Sequence, residues 1–384
     1  MTEHSQKLSH YFTHSKRKGR AGLPLMSVTM RDGLVRRDAL DRKTDSALKD
    51  EEHLLIEPGD IAYNMMRMWQ GALGLSDQPA NVSPAYGVMR PKDTVDPRFA
   101  KHWFKSDRGL YMLWAYSYGL TEDRLRLYPA EFLKIPVSWP SRSQQKQIAD
   151  ILDAWDSAIS ELIRSVSLCR KRLSAARKKL IAGDLIRLTK LATISFSGVD
   201  KKIDKTERPV QLCNYTHIWR HDNLVSELSY DAGTAVEKEV KRFSLKQGDF
   251  IFTKDSETAE EIAEVAYVAE TMPDVVCGYH LALARPKPGY NGAYVAQAMR
   301  LPSIRHEFAK RANGAIRFGL TLDTLSQIQI PVPDEAQQVR IANYLQSLEA
   351  EIALKQSEVH ALRQQKQAIR RKLLSTDDLI ETPE

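Results

Sequence analysis

Residues 144–152 read QQKQIADIL, and residues 337–345 read QQVRIANYL. The match continues at a constant offset of 193: Ile159 with Ile352, Val166 with Val359, Arg170 with Arg363, Arg177 with Arg370, Lys179-Leu180 with Lys372-Leu373, and Asp184 with Asp377. Just upstream, Ile135-Pro136-Val137 parallels Ile330-Pro331-Val332. Fainter correspondences precede each copy. Gly59-Asp60-Ile61 parallels Gly248-Asp249-Phe250, and Arg90-Pro91-Lys92 parallels Arg285-Pro286-Lys287. A chain that repeats itself over this distance carries a duplicated unit. The order is module, helix, module, helix, and the helices are more alike than the modules.

The quoted segments open two heptad patterns. In the first, Ile148, Leu152, Trp155, Ile159, Leu162, Val166, Cys169, Leu173, Ala176 and Leu180 follow steps of four and three without a miss. In the second, Ile341, Leu345, Leu348, Ile352, Lys355, Val359, Leu362, Lys366, Ile369 and Leu373 keep the same register. Such spacing predicts long helices packed along their length on one another. Lys355 and Lys366 interrupt the second seam; a lysine there can lay its stem on the apolar stripe and keep its ammonium in water. Residues 144–181 as one helix would span about 57 Å at about 1.5 Å per residue. Antiparallel pairing requires only that a module's two ends lie close together, so an antiparallel two-helix coiled coil is expected. The expected fold is α+β, a pseudo-twofold tandem repeat. Two modules (1–140 and 185–333) are separated by helices at 141–184 and 334–384. The basic runs Arg170-Lys171-Arg172 and Arg177-Lys178-Lys179 read as a solvated face.

The 384 residues carry 56 Lys and Arg against 49 Asp and Glu, a net charge of +7, with a pI near 9.1. A mild basic surplus favours a polyanionic partner. Three isolated cysteines argue for a reducing compartment and against a disulfide framework or zinc site. No run approaches the roughly 18 apolar residues of a membrane span, and the polar N-terminus lacks a signal-peptide core; a cytoplasmic protein is expected. His10 and His14 are read as solvated, not as metal ligands.

Within the modules, residues 53–63 read as strand, turn, strand, and residues 98–117 and 292–312 as helical. Side chains suited to base edges cluster after the Gly-Asp turns. In the first module these are Asn64, Arg67, Trp69 and Gln70, since Asn and Gln pair bidentately with adenine and Arg with guanine. Of Met65, Met66 and Trp69, at least two are expected in the core. Arg124 and Arg126 lie in a polar stretch from Gly119 onward. The counterparts in the second module are Lys254, Asp255 and Ser256, then Tyr279 and His280, and Arg317 in the loop from Gly314. Arg31, Arg36, Arg37, Arg42 and Lys43 would serve phosphates.

No catalytic machinery is legible. There is no phosphate-binding GxxxxGK[ST] loop, no glycine-rich loop for a methyl donor, no HExxH and no GxSxG. Pro273-Asp274 has no downstream partner suited to a nuclease. Ser83-Pro84-Ala85-Tyr86 resembles the S-P-P-Y motif of amino-methyltransferases but lacks its second proline, so Tyr86 is read as structural or base-stacking.

The module–helix–module–helix order, the I-P-V…Q-Q…I-A…L starts of both helices and the Gly-Asp strands together resemble the specificity subunit of type I restriction–modification enzymes. GDIAYNMMRMWQGALG (59–74) and GDFIFTKDSE (248–257) are similar to segments of that family's target-recognition domains. The resemblance covers nearly the whole chain. It implies that each target-recognition domain reads one half of a split, asymmetric site in double-stranded DNA, that the helices set the gap, and that the chain is not itself an enzyme. Two modification subunits would methylate adenines with S-adenosylmethionine, and restriction subunits using ATP and Mg can join them. Rival readings are a methyltransferase–specificity fusion, a coiled-coil scaffold without sequence-specific DNA binding, and an RNA-binding protein. The last is disfavoured by the lack of an aromatic stacking platform with RNP-like spacing.

Overall fold

The computed structural model describes residues 5–40, 48–121 and 124–374. Its contacts divide into two units, one of 1–163 with 358–384 and one of 164–357, so the boundary falls inside both long helices. The helices run Arg142–Leu180 and Glu335–Leu374. The predicted seam positions are all buried or half-buried, Lys355 and Lys366 included.

In the first unit, strands Phe12–His14, Tyr86–Pro91, Ile61–Asn64 and Leu73–Leu75 lie side by side, in that order, as one antiparallel sheet. A second sheet has the order Gly33–Arg36, Leu25–Thr29, Ala80–Val82 and Leu54–Ile56, with a parallel pair at its centre. The second unit repeats both. One sheet has Ala192–Phe196, Leu281–Pro286, Phe250–Thr253, Val265–Val268 and Asn223–Leu224; the other has Asp231–Ala235, Arg208–Cys213, Met272–Cys277 and Ser244–Leu245, again with a parallel central pair. The strand, turn and strand read in 53–63 are present, and the two strands, Leu54–Ile56 and Ile61–Asn64, belong to different sheets.

The faint sequence repeats mark equivalent bonds. Asp60, buried after Gly59 (φ 90°), accepts from the Glu57 amide at 3.0 Å and from Arg90 Nε at 3.3 Å. Asp249, buried after Gly248 (φ 94°), accepts from the Lys246 amide at 3.1 Å and from Arg285 Nε at 3.3 Å. A left-handed residue is needed at each turn, which favours glycine. Burial pushes both carboxyls up, that of Asp60 to about 6, against the pull of nearby arginines.

A second repeated device anchors each long helix. Gln145 Oε1 accepts from the Asp96 amide (2.9 Å) while its Nε2 donates to the Pro140 carbonyl (2.9 Å). Gln338 Oε1 accepts from the Asn291 amide (2.9 Å) while its Nε2 donates to the Pro333 carbonyl (3.0 Å). Both glutamines are 1% exposed. Asp96 and Asn291 in turn cap the helices Pro97–Phe104 and Gly292–Met299, accepting from the amides of Arg98 and Tyr294. The helical stretches predicted at 98–117 and 292–312 are therefore each two helices. The first pair breaks at Lys105–Ser106, where Ser106 caps Asp107–Ala115; the second breaks before Pro302, which starts Pro302–Arg311. Proline at the first helical position is preorganised for a new start.

Within each unit the two long-helix segments pack antiparallel. In the first, Lys366 pairs with Asp156, and Ile369 and Leu373 rest on a core containing Ile148 and Leu152. In the second, Cys169 faces Glu351, and Val166 and Leu173 share a core with Leu345, Leu348 and Ile352. Arg177, expected on a solvated face, instead has a side chain only 16% exposed. It and Arg300 both contact Glu349 Oε1 at 2.6 Å, and its Nε donates to Gln297 Oε1 at 2.8 Å. An arginine at the edge of an apolar seam can be drawn inward when a carboxylate there accepts its fork.

Candidate nucleic-acid interface

Each Gly-Asp turn launches a strand whose far end meets a loop from the other side of the module. In the first unit, strand Ile61–Asn64 runs into a compact turn. Asn64 Oδ1 accepts from the Met66 amide (3.0 Å), the Trp69 indole donates to the Met66 carbonyl (3.1 Å), and Gly71 closes the turn at φ 85°. Met68 is the buried methionine beneath; Met65 packs partly on the core, Met66 is 52% exposed and Trp69 is half-buried, so the core role expected of these side chains falls mainly to Met68. Leu127 N–H donates to the Met65 carbonyl at 2.9 Å, and Tyr118 and Arg126 exchange both backbone bonds. The turn and the loop thus share an edge, and Arg67, Gln70, Arg124 and Arg126 are exposed along it.

The second unit repeats the arrangement. Strand Phe250–Thr253 leads into Lys254–Ser256. Leu320 N–H donates to the Lys254 carbonyl at 2.9 Å, and Asn313 and Gly319 exchange both backbone bonds. Here the edge is a cleft of about 410 Å³, lined by Tyr215 and Trp219 together with Asp255, Ser256, His280 and Arg317. His280 Nδ1 lies 3.1 Å from Asp255 Oδ2. Lys254 places its ammonium 4.5 Å from the Tyr279 ring centroid and is only 15% exposed, so its charge faces a ring.

Other candidates fall elsewhere. Tyr86 turns its hydroxyl inward to accept from the Val28 amide (3.3 Å) and packs against the core. Arg31 occupies the exposed tip of the Leu25–Thr29 to Gly33–Arg36 hairpin, and Arg36 is bound by Asp38 at 2.7 Å. Arg42 and Lys43 lie outside the described residues. Two aromatic pairs escaped the sequence reading. Tyr215 and Trp219 sit four apart on one helix with ring centroids 6.0 Å apart, and Tyr111 and Trp114, three apart, are likewise 6.0 Å apart and exposed. Aromatic pairs at helical spacing were the available signal.

Among the described residues, one set of metal-ligand side chains converges: His102, Asp153 and Asp156. Cations already occupy it. Asp153 takes Lys101 at 3.1 Å, Arg98 at 3.4 Å and His102 Nε2 at 2.8 Å, while Asp156 holds Lys366. Three fixed positive charges oppose a metal ion here. No helix of the described residues is long and apolar enough to cross a membrane.

The comparisons with known proteins agree with this architecture. Residues 202–364 match the family model of the type I restriction modification DNA specificity domain. No curated protein matches the sequence. The fold is similar to that of the S subunit of a type I restriction–modification system from M. genitalium, at 13% identity and a TM-score of 0.60, covering 97% of this chain and 96% of that one. It is also similar to a structure described as the structural basis underlying complex assembly and conformational transition of the type I R-M system, at 12% identity and a TM-score of 0.56, covering 97% of both chains. At these identities the likeness to the solved structures is one of fold alone, and the matched domain covers less than half of the chain.

Proposed function

We propose that this chain is the sequence-reading subunit of a type I restriction–modification complex and carries no chemistry of its own. Residues 1–140 and 185–333 act as target-recognition domains, each reading one half of a bipartite, asymmetric DNA site. The long helices at 141–184 and 334–384 set the spacing of the halves and scaffold two modification subunits. Those partners bind S-adenosylmethionine and methylate adenine; restriction subunits that join them use ATP and Mg. A homodimeric reader sees a palindrome; two unlike heads on one chain read an asymmetric site.

The observation that carries the reading is the duplicated edge. In both modules a Gly-Asp strand end is tied by one backbone bond to a loop, Leu127 to Met65 and Leu320 to Lys254, and different polar side chains stand on it. Arg67 and Gln70 in one module, and Asp255, His280 and Arg317 in the other, belong to the types that read base edges in the major groove.

Genome-wide mapping of methyladenine in a host expressing the chain with its modification partner tests this. A split motif that appears only with the chain present is the expected result, and an active partner without a new motif refutes it. Within that motif, Arg67→Ala should relax one base position at a cost of about 1–3 kcal/mol. Uniform weakening across sequences would make Arg67 a phosphate contact instead.

A further inference from the structure

The His280 ring is held from several directions. Its Nδ1 is 3.1 Å from Asp255 Oδ2, the Tyr279 ring meets it edge-on with centroids 5.0 Å apart, and its own carbonyl accepts from the Lys254 amide at 3.0 Å. Lys254 in turn covers Tyr279 and lies 3.9 Å from the same carboxylate oxygen. Yet the side chain remains 42% exposed on the wall of the cleft. Nε2 has no hydrogen-bond partner among the described residues. An immobilised ring with one free nitrogen facing an open cleft is preorganised to recognise something.

The chemistry of that nitrogen is set by its neighbour. A carboxylate only accepts, so the Nδ1 facing Asp255 carries the proton, and the Nδ1–H tautomer offers a lone pair at Nε2. A lone pair accepts from an exocyclic amino group, which adenine (N6) and cytosine (N4) present in the major groove. It opposes the keto oxygens of guanine (O6) and thymine (O4). We infer that Asp255, by fixing the His280 tautomer, makes the second module select an amino-bearing base, adenine or cytosine, at one position of its half-site. His280 is the specificity-determining residue and Asp255 its positioning residue. Tyr215 and Trp219 line the same cleft and supply apolar surface beside the approaching base edge. The inference rests on the DNA-reading role proposed above.

The test uses the assembled methyltransferase, with motif mapping for the unaltered chain, His280→Ala and Asp255→Asn. His280→Ala should relax one position of one half-site, and the base found there in the unaltered motif should be adenine or cytosine; which of the two is read directly. Asp255→Asn admits both tautomers and should relax that same position, each variant losing about tenfold or more in discrimination with the other half-site unchanged. A role confined to folding would lower methylation at all sites without changing base preference. Relaxation at a guanine or thymine position, relaxation at different positions in the two variants, or an unchanged motif overturns the inference. If Asp255→Asn does not assemble, His280→Ala alone decides, because its half-exposed ring contributes little to the core. A missing motif with the unaltered chain refutes the recognition role itself, and is distinguishable from these outcomes.

Discussion

The two modules differ least where they hold themselves together and most where they face outward. The buried glutamine, the Gly-Asp turn, its arginine and the loop-to-strand bond recur with nearly the same distances. The exposed side chains do not. Arg67, Gln70, Arg124 and Arg126 make the first edge rich in donors, whereas Asp255, Glu257, Glu261 and His280 give the second edge acceptors around a single Arg317. A duplicated frame that keeps its internal bonds can exchange its exposed residues at little cost to the fold, since surface substitutions usually shift stability by less than about 0.5 kcal/mol.

The frame itself is not equal throughout, and one pair of positions offers the largest expected effect. In the repeat, Arg177 and Glu349 correspond to Arg370 and Asp156. Glu349 is 6% exposed and binds both Arg177 and Arg300. Asp156, one methylene shorter, has a side chain 47% exposed and is paired with Lys366. Glu349→Ala should therefore cost the second unit about 3–5 kcal/mol, because two largely buried guanidinium groups lose their carboxylate. Asp156→Ala should cost the first unit no more than about 1 kcal/mol. Amide hydrogen exchange resolves the units separately; equal losses would show that the two pairs are energetically alike despite their burial.

Next come the helix anchors. Gln145→Ala strands the Asp96 amide and the Pro140 carbonyl, and Gln338→Ala strands those of Asn291 and Pro333, so each should cost about 2–3 kcal/mol. The contrast is sharpened if each variant raises exchange in its own unit alone and by a similar amount. A loss confined to one of them would mean that the shared geometry conceals unequal strain.

These pairs also mark what could be read from the sequence. The heptads and the Q-Q starts are local patterns, and periodicity reports them directly. Gly59-Asp60 and Arg90-Pro91-Lys92 were visible as repeats, but nothing in the sequence tells that Asp60 and Arg90 bond to each other across two strands. The parallel pairing of Leu25–Thr29 with Ala80–Val82 depends on a long connection and leaves no local trace. For the same reason residues after the Gly-Asp turns could be picked out as an edge, while Tyr215 and Trp219, far away in sequence, could not. Arg177 was misplaced because its burial depends on Glu349 and Arg300, contributed by other helices.

A pH series separates the units further. His102 is 3% exposed, and burial, with Lys101 beside it, lowers its pKa below the ordinary imidazole range. A group with a depressed native pKa stabilises the fold above its unfolded value of about 6.5, and that contribution is lost as pH falls toward the native value. The corresponding place in the second unit is held by Gln297, which does not titrate. The first unit should thus lose up to about 1.4 kcal/mol per pH unit below about 6.5 from this residue, and His102→Gln should remove that slope. An unchanged slope in the variant would assign the acid sensitivity to other groups.

The smallest effect has the opposite sign. Tyr63 is fully buried, stacked on Phe132 with ring centroids 5.4 Å apart, and its hydroxyl has no hydrogen-bond partner among the described residues. Gly87, opposite it in the sheet, leaves room for the ring, since a Cβ there would lie 2.4 Å from it. The equivalent strand position in the second module is Phe252, equally buried but without a hydroxyl. Burying an unpaired hydroxyl is unfavourable, so Tyr63→Phe should stabilise the first unit by about 1 kcal/mol, with the recognised motif unchanged. If thermal unfolding or exchange showed a loss instead, the hydroxyl would have an internal partner that the second module lacks.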